Sequence, residues 1–196
     1  YTVIGIDNNN CENSDQVSVV VNPLPNIDAG IDQTICDGEL VTLTATGGVN
    51  YSWDSSINNA EAFNPPLGNT TYTVIGTDNN NCENSDQVTV IVNPLPSIDA
   101  GIDQNICEGE QVILTANGSG NYIWDNGVFD NEPFNPNTTN IYTVTTQDPI
   151  TNCTSNDQVT VIVNPLPNIN AGIDQTICEG EILILSASGG INYIWD

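Results

Sequence analysis

Residues Tyr72–Glu110 read YTVIGTDNNNCENSDQVTVIVNPLPSIDAGIDQNICEGE, and the same stretch returns almost three times along the chain. Two alternating apolar runs flank an Asn/Asp loop that carries one cysteine. An Asn-Pro-Leu-Pro joint follows, and a third run closes on a second cysteine and a glycine turn. Residues 1–44 and 72–115 differ at only eight positions: 6, 18, 20, 26, 34, 37, 40 and 42 of the first copy. Pro25, Pro96 and Pro167 are equivalent, as are Cys36, Cys107 and Cys178, at a period of 71 residues. Self-similarity at a fixed period marks a modular array. Two complete modules are expected, 25–95 and 96–166. Residues 1–24 read as the last two strands of a truncated module and 167–196 as the first three strands of another. The chain therefore reads as an excerpt of a longer array.

The formal charge is −25, with no Lys, Arg or His anywhere in the 196 residues. A nucleic-acid binder displaces phosphate counterions with cations, and this chain has none to offer. Anionic membrane surfaces are excluded on the same ground. The longest apolar runs, Val17–Val21 and Val88–Val92, have strand length, so membrane insertion is not expected. Catalysis lacks its usual equipment, because there is no imidazole for general-base work and no lysine for Schiff-base chemistry. Pairs of Asp and Glu recur identically in each module on loops without a cleft, which argues against a glycosidase dyad. An array rather than an enzyme is expected.

Every apolar segment alternates with period two. In 96–166, Ile98, Ala100, Ile102 and Ile106 form a first strand with a kink at Gly101 that crosses between sheets. Glu108-Gly109-Glu110 makes a turn. Val112, Leu114 and Ala116 give a second strand, and Tyr122-Ile123-Trp124 a third. Asn126-Gly127 is a tight-turn signal. Val128-Phe129 and Pro133-Phe134 read as brief strands, Tyr142, Val144 and Thr146 begin the sixth, and Val159, Val161 and Val163 form the last. Seven short strands in about 70 residues, with no helical stretch, predict an all-β fold of tandem seven-stranded immunoglobulin-like β-sandwich modules in an elongated array. Trp53 and Trp124 are expected in the core, and Tyr72 and Tyr142 in a tyrosine-corner position.

The order Asp28-Ala29-Gly30-Ile31-Asp32-Gln33-Thr34-Ile35-Cys36-Asp37-Gly38-Glu39, then Val41–Ala45, Trp53, Tyr72-Thr73-Val74 and Asp86-Gln87-Val88-Thr89-Val90, resembles the PKD-like, immunoglobulin-like repeats of very large secreted Bacteroidota proteins, including gliding-associated cell-surface adhesins. The resemblance covers the whole chain. It implies an extracellular β-sandwich repeat exported by the type IX secretion route.

Six cysteines lie two per period, with no C-x-x-C pair and no His to complete a zinc site. In a seven-strand sandwich Cys36 and Cys107 fall in the turn after the first strand. Cys82 and Cys153 fall in the loop before the last strand, at the opposite pole, roughly 20–25 Å away. A disulfide needs Cα atoms within about 7 Å. The favoured expectation is a bond across the joint between Cys36 and Cys153, with Cys11, Cys82, Cys107 and Cys178 finding partners in flanking modules. A pair inside one module (Cys36 with Cys82, in a different topology), free thiols and pairing between chains stay open.

Asp78, Glu83, Asp86, Glu108 and Glu110 are candidate calcium ligands at the module poles; the competing reading is a solvated acidic surface. Loops 55–69 and 126–140 vary most between modules, and a binding surface would differ there. The leading functional expectation is a structural stalk or filament segment of a giant extracellular adhesin, whose partners are the neighbouring modules of its own chain. The alternatives are a module that binds a glycan or a surface protein, and a spacer beside a secreted hydrolase. Exposed edge strands leave lateral self-association into a fibre open as a further partner, and about nine negative charges per module oppose it at low salt.

Overall fold

The computed structural model describes residues 1–196. The chain forms two compact units, Tyr1–Pro94 and Leu95–Asp196, and the division falls inside Asn93-Pro94-Leu95-Pro96.

In the first unit, β1 (Thr2–Ile6) and β2 (Glu12–Gln16) form an exposed antiparallel hairpin. The strands β3 (Gln33–Cys36), β4 (Val41–Thr42), β5 (Asn50–Trp53), β6 (Ala62–Phe63), β7 (Gly68–Thr77) and β8 (Glu83–Asn93) follow. One sheet has the order β3-β8-β7-β5, with β3 parallel to β8 and the other pairs antiparallel. The opposing layer pairs β4 with β6 and bridges Asp28 to Thr46. With the Asp28 segment included, module 25–95 has seven strand segments, and its first strand contributes to both layers. The switch occurs at Gly30, whose φ of 88° is in the left-handed region that costs a residue with a Cβ most.

The second unit repeats the plan with β9 (Ile98–Asp99), β10 (Gln104–Cys107), β11 (Val112–Ile113), β12 (Asn117–Gly118), β13 (Asn121–Trp124), β14 (Pro133–Phe134), β15 (Asn140–Gln147) and β16 (Thr154–Asn164). Its main sheet runs β10-β16-β15-β13, again with a parallel outer pair, and β9–β12 and β11–β14 make the opposing layer. Gly101, with φ 82°, makes the same crossing. A first strand that leaves one sheet and joins the other parallel to the last strand is an immunoglobulin-like arrangement, and each unit is an all-β sandwich of that kind.

Period-two alternation places Val88, Val90 and Val92 of β8 against Val41, Leu43 and Ala45 from the other layer, with Ile27, Ala29, Trp53, Tyr72 and Val74 completing the core. Ala100, Val112, Leu114, Ala116, Trp124, Val128, Tyr142, Val144, Val159 and Val161 do the same in the second unit. Each buried aliphatic side chain contributes roughly 1.5–3 kcal/mol relative to exposure.

Three sequence expectations change. Val128-Phe129 is not a strand: Asn126 (φ 53°) and Gly127 (φ 73°) turn the chain, and the Val128 N–H closes on the Asp125 carbonyl at 3.2 Å. Tyr72 and Tyr142 are not corner tyrosines. Their rings meet Phe63 and Phe134 edge-on at 5.3 and 5.2 Å, and it is Tyr51 and Tyr122 whose hydroxyls donate to the Gly48 and Gly118 carbonyls. The last strand is also longer than its apolar stretch, because β8 extends through the polar Glu83–Gln87.

Leu43 and Leu114 are each 1% exposed. Truncation of either to alanine is expected to lower the stability of its own module by about 2–5 kcal/mol, measured by chemical denaturation of the single variants.

Candidate functional site

With no Lys, Arg or His in the chain, many of the carboxylates are held by backbone N–H groups, and the same contacts recur in each module. Asp86 Oδ2 accepts the Ala29 N–H at 2.8 Å, and Asp157 Oδ2 accepts the Ala100 N–H at 2.8 Å. Both bonds tie the last strand of one layer to the first strand of the other. Asp32 and Asp103 accept from Thr89 and Thr160, each at 2.8 Å. Asp54 and Asp125 accept from Thr73 and Thr143, each at 3.0 Å. Asn59 Oδ1 receives both the Ala45 N–H and the Trp53 indole N–H; Asp130 Oδ1 does the same for Ala116 and Trp124. These pins were not singled out from the sequence. The available signal was the return of Asp15, Asp86 and Asp157 at one repeat position within a segment otherwise read as loop.

The candidate calcium ligands fall on several such contacts. Asp78 Oδ1 accepts the N–H groups of Asn80 (2.7 Å) and Cys82 (2.9 Å), folding the Asn-rich loop around itself. Asp86 faces Ala29. Glu110 Oε2 accepts the Cys107 N–H at 2.7 Å, as Glu39 does for Cys36 at 2.8 Å. Glu83 opens β8 opposite Thr77, and the Glu108 N–H donates to the Asn164 carbonyl at 2.8 Å. No three Asp, Glu, Cys or His side chains gather into a group that could hold a metal ion.

The cysteines occupy opposite ends of each sandwich. Cys36 ends β3 in register with Asn93, the last residue of β8, whereas Cys82 immediately precedes Glu83, the first. Eleven strand residues put roughly 35 Å between them, more than the sequence reading allowed. A Cys36–Cys82 bond is therefore excluded by the register. Cys107 pairs in register with Asn164 and Cys153 precedes Thr154, so the second module repeats the separation. Cys153 is buried. It lies at the end where its module begins: Thr146 Oγ1 donates to the Ser119 carbonyl, and the Ser119 N–H to the Ser97 carbonyl. Cys36 and Cys153 are disulfide-bonded, and Cys11, Cys82, Cys107 and Cys178 carry free thiols.

Backbone hydrogen bonds set the titration of the caps. The N–H groups of Cys11 and Asn9 hold the Asp7 carboxyl below its ordinary value, and those of Cys82 and Asn80 do so for Asp78. Ala29 and Gln87 lower Asp86, Thr151 and Ile150 lower Asp148, and Ala100 and Gln158 lower Asp157. Burial, and then the Asp54 charge, push Tyr72 up.

No protein-family model and no curated protein matches the chain. Among solved structures, it is similar to the insect immune protein hemolin (14% identity, 76% of this chain and 49% of that one, TM-score 0.38). It is also similar to the N-terminal eight Ig domains of Down Syndrome Cell Adhesion Molecule (18% identity, 91% and 34%, TM-score 0.33). A third is a SusE-like surface-located polysaccharide-binding protein from the Bacteroides thetaiotaomicron heparin utilisation locus (11% identity, 84% and 42%, TM-score 0.39). The chain spans less than half the length of each of these three. No helix of the structure is long and apolar enough to cross a membrane.

Carboxyls with lowered folded values contribute stability that is full above the ordinary Asp value of about 3.9 and is lost as pH falls through the folded values. Thermal unfolding should therefore give a Tm that falls below about pH 4. The Asp86→Asn/Asp157→Asn double variant, which keeps an acceptor oxygen but removes the titration, should lose less Tm over the same acid range.

Proposed function

We propose that the chain is a stalk or filament segment of a large extracellular adhesin, in which immunoglobulin-like modules are joined by proline-containing linkers and stapled by disulfides. The observation that carries this reading is the state of the cysteines. Cys36 lies at the trailing end of one module and Cys153 at the leading end of the next, both are oxidised, and pairing within a module is excluded by register. We assign them to one bond across Asn93-Pro94-Leu95-Pro96, where two prolines fix φ and limit bending. The free thiols of Cys11, Cys82, Cys107 and Cys178 are assigned the same role toward flanking modules. Oxidised cysteines suit a secreted or surface-exposed protein. In this reading the chain is not an enzyme, and its partners are other modules of its own length, a surface protein or glycan, and further copies in a fibre.

The bond is tested by non-reducing peptide mapping with a protease that cuts after acidic residues, since the chain offers trypsin no site. A linked pair of peptides carrying Cys36 and Cys153 is expected, and any other partner for either residue overturns the assignment. Replacing both by serine should lower stability by up to ~4–5 kcal/mol, the loop-closure figure for more than a hundred residues.

The stalk needs no ion in this reading, because Asp78, Asp86 and Glu110 are already held by backbone N–H groups. Tm is expected to be insensitive to chelator. A Tm raised by added calcium would instead make Asp78, Glu83, Asp86, Glu108 and Glu110 ligands that stiffen the joint.

A further inference from the structure

The two complete modules part company at the third strand and the turn that follows it. Trp53 and Trp124 are equivalent, and each donates its indole N–H to a side chain six residues on, Asn59 or Asp130. Immediately before each of these fixed points, Ser52 and Asn58 of the first module become Ile123 and Phe129 of the second. Both new side chains stand in solvent: Ile123 is 73% exposed and Phe129 75%. With Tyr122, Trp124, Val128 and Asp130 they border an open cavity of ≈ 300 Å³. The corresponding surface of the first module is lined by Ser52, Ser55, Ser56 and Asn58 instead.

The floor of this cavity is rigid. Asp130 Oδ1 takes the Trp124 indole N–H at 3.0 Å and the Ala116 N–H at 2.8 Å, while Oδ2 makes no hydrogen bond within the chain. Across the sheet, Ile123 stands opposite Thr145 of β15. From there the outward residues of β15 and β16 continue through Thr143, Asn156, Gln158 and Thr160, none of them charged, with the carboxylates of Asp125 and Asp103 reaching the Thr143 and Thr160 N–H groups. In a chain of −25, an exposed aromatic ring beside strand residues that carry no charge of their own is a local exception.

We propose that this cavity in module 96–166 binds an uncharged glycan, which gives the glycan partner named in the proposed function its site and ligand class and is independent of the stalk's disulfide. The face of the Phe129 ring is electron-rich and attracts the weakly positive C–H face of a sugar ring. Ile123 extends that apolar platform. Asp130 Oδ2 and the Thr145 hydroxyl supply acceptors for sugar hydroxyls. The charge of the chain decides the ligand class: with no cation, it repels sulfated or uronate-rich glycans and nucleic acids. A cavity of ≈ 300 Å³ is at the lower end of the range of small-ligand sites, roughly 300–1,000 Å³. A stable protein partner requires about 800 Å² per side, far more than this cavity offers.

The experiment is calorimetric titration of the 196-residue chain with neutral cello-, chito-, manno- and xylo-oligosaccharides, and with heparin as the anionic control. At least one neutral series should bind and heparin should not. Phe129→Ala should weaken binding about tenfold or more with Tm unchanged, because the ring is exposed. The Ser52→Ile/Asn58→Phe/Asn59→Asp/Ile75→Thr variant should raise the stoichiometry from about one to about two per chain, since it installs both the apolar platform and its two acceptors in module 25–95. No binding by any neutral series overturns the proposal, as does binding that Phe129→Ala leaves intact. If sedimentation shows self-association that Phe129→Ala abolishes, and no sugar binds, the platform is a contact between copies. The disulfide map is unaffected by any of these results, so failure here does not bear on the stalk.

Discussion

The hydrogen bond from the Ala29 N–H to the Asp86 carboxylate, repeated from Ala100 to Asp157, is the contact that each sandwich depends on. It lies where the first strand is leaving one sheet and has not yet joined the other, so the alanine N–H has no ladder partner. A buried N–H without an acceptor is costly. The aspartate has a matching need, because a chain without Lys, Arg or His offers it no counterion. Each group supplies what the other lacks. Asp32 and Asp103 continue the same solution on the other side of the crossing, binding Thr89 and Thr160. Acidic residues that look like a solvated surface in composition are in large part the fasteners of the crossing, the turns and the tryptophans.

The apolar strands were readable because burial on one face forces strict alternation. Val88, Val90 and Val92 could be placed in the core without coordinates, and so could the crossing at Gly30 and Gly101. Glu83–Gln87 could not be read as strand. Its inner face carries Asn84 and Asp86, which serve Pro25 and Ala29 rather than the apolar core, so the alternation continues in polar residues that hydropathy does not register. Val128 misled in the opposite sense: it is buried, but from a turn and not from a strand. Cysteine placement was legible because it follows from topology, whereas the distance between poles was underestimated for the same reason that β8 was read too short. Nothing in the composition separates a carboxylate that caps an N–H from one that awaits an ion.

Near-identity between modules hides a division of labour. The residues that repeat are those that hold the sandwich: the glycine crossing, the aspartate fasteners and the valine rows. Side chains with no such duty have drifted, and Ile123 and Phe129 are among them. A repeat array can therefore diversify its exposed third strand and the following loop while the shared scaffold stays fixed.

The parallel pairing of β3 with β8, and of β10 with β16, has a mechanical meaning. In each module these are the strand near the start and the strand at the end, matched from Gln33–Val90 to Cys36–Asn93 and from Gln104–Val161 to Cys107–Asn164. Tension applied through the two ends of a module pulls parallel partners in opposite directions along their own axes. The rungs between them are then strained together in shear and do not open one after another like a zipper. Resistance to stretching is thereby concentrated in the one parallel pair of each module.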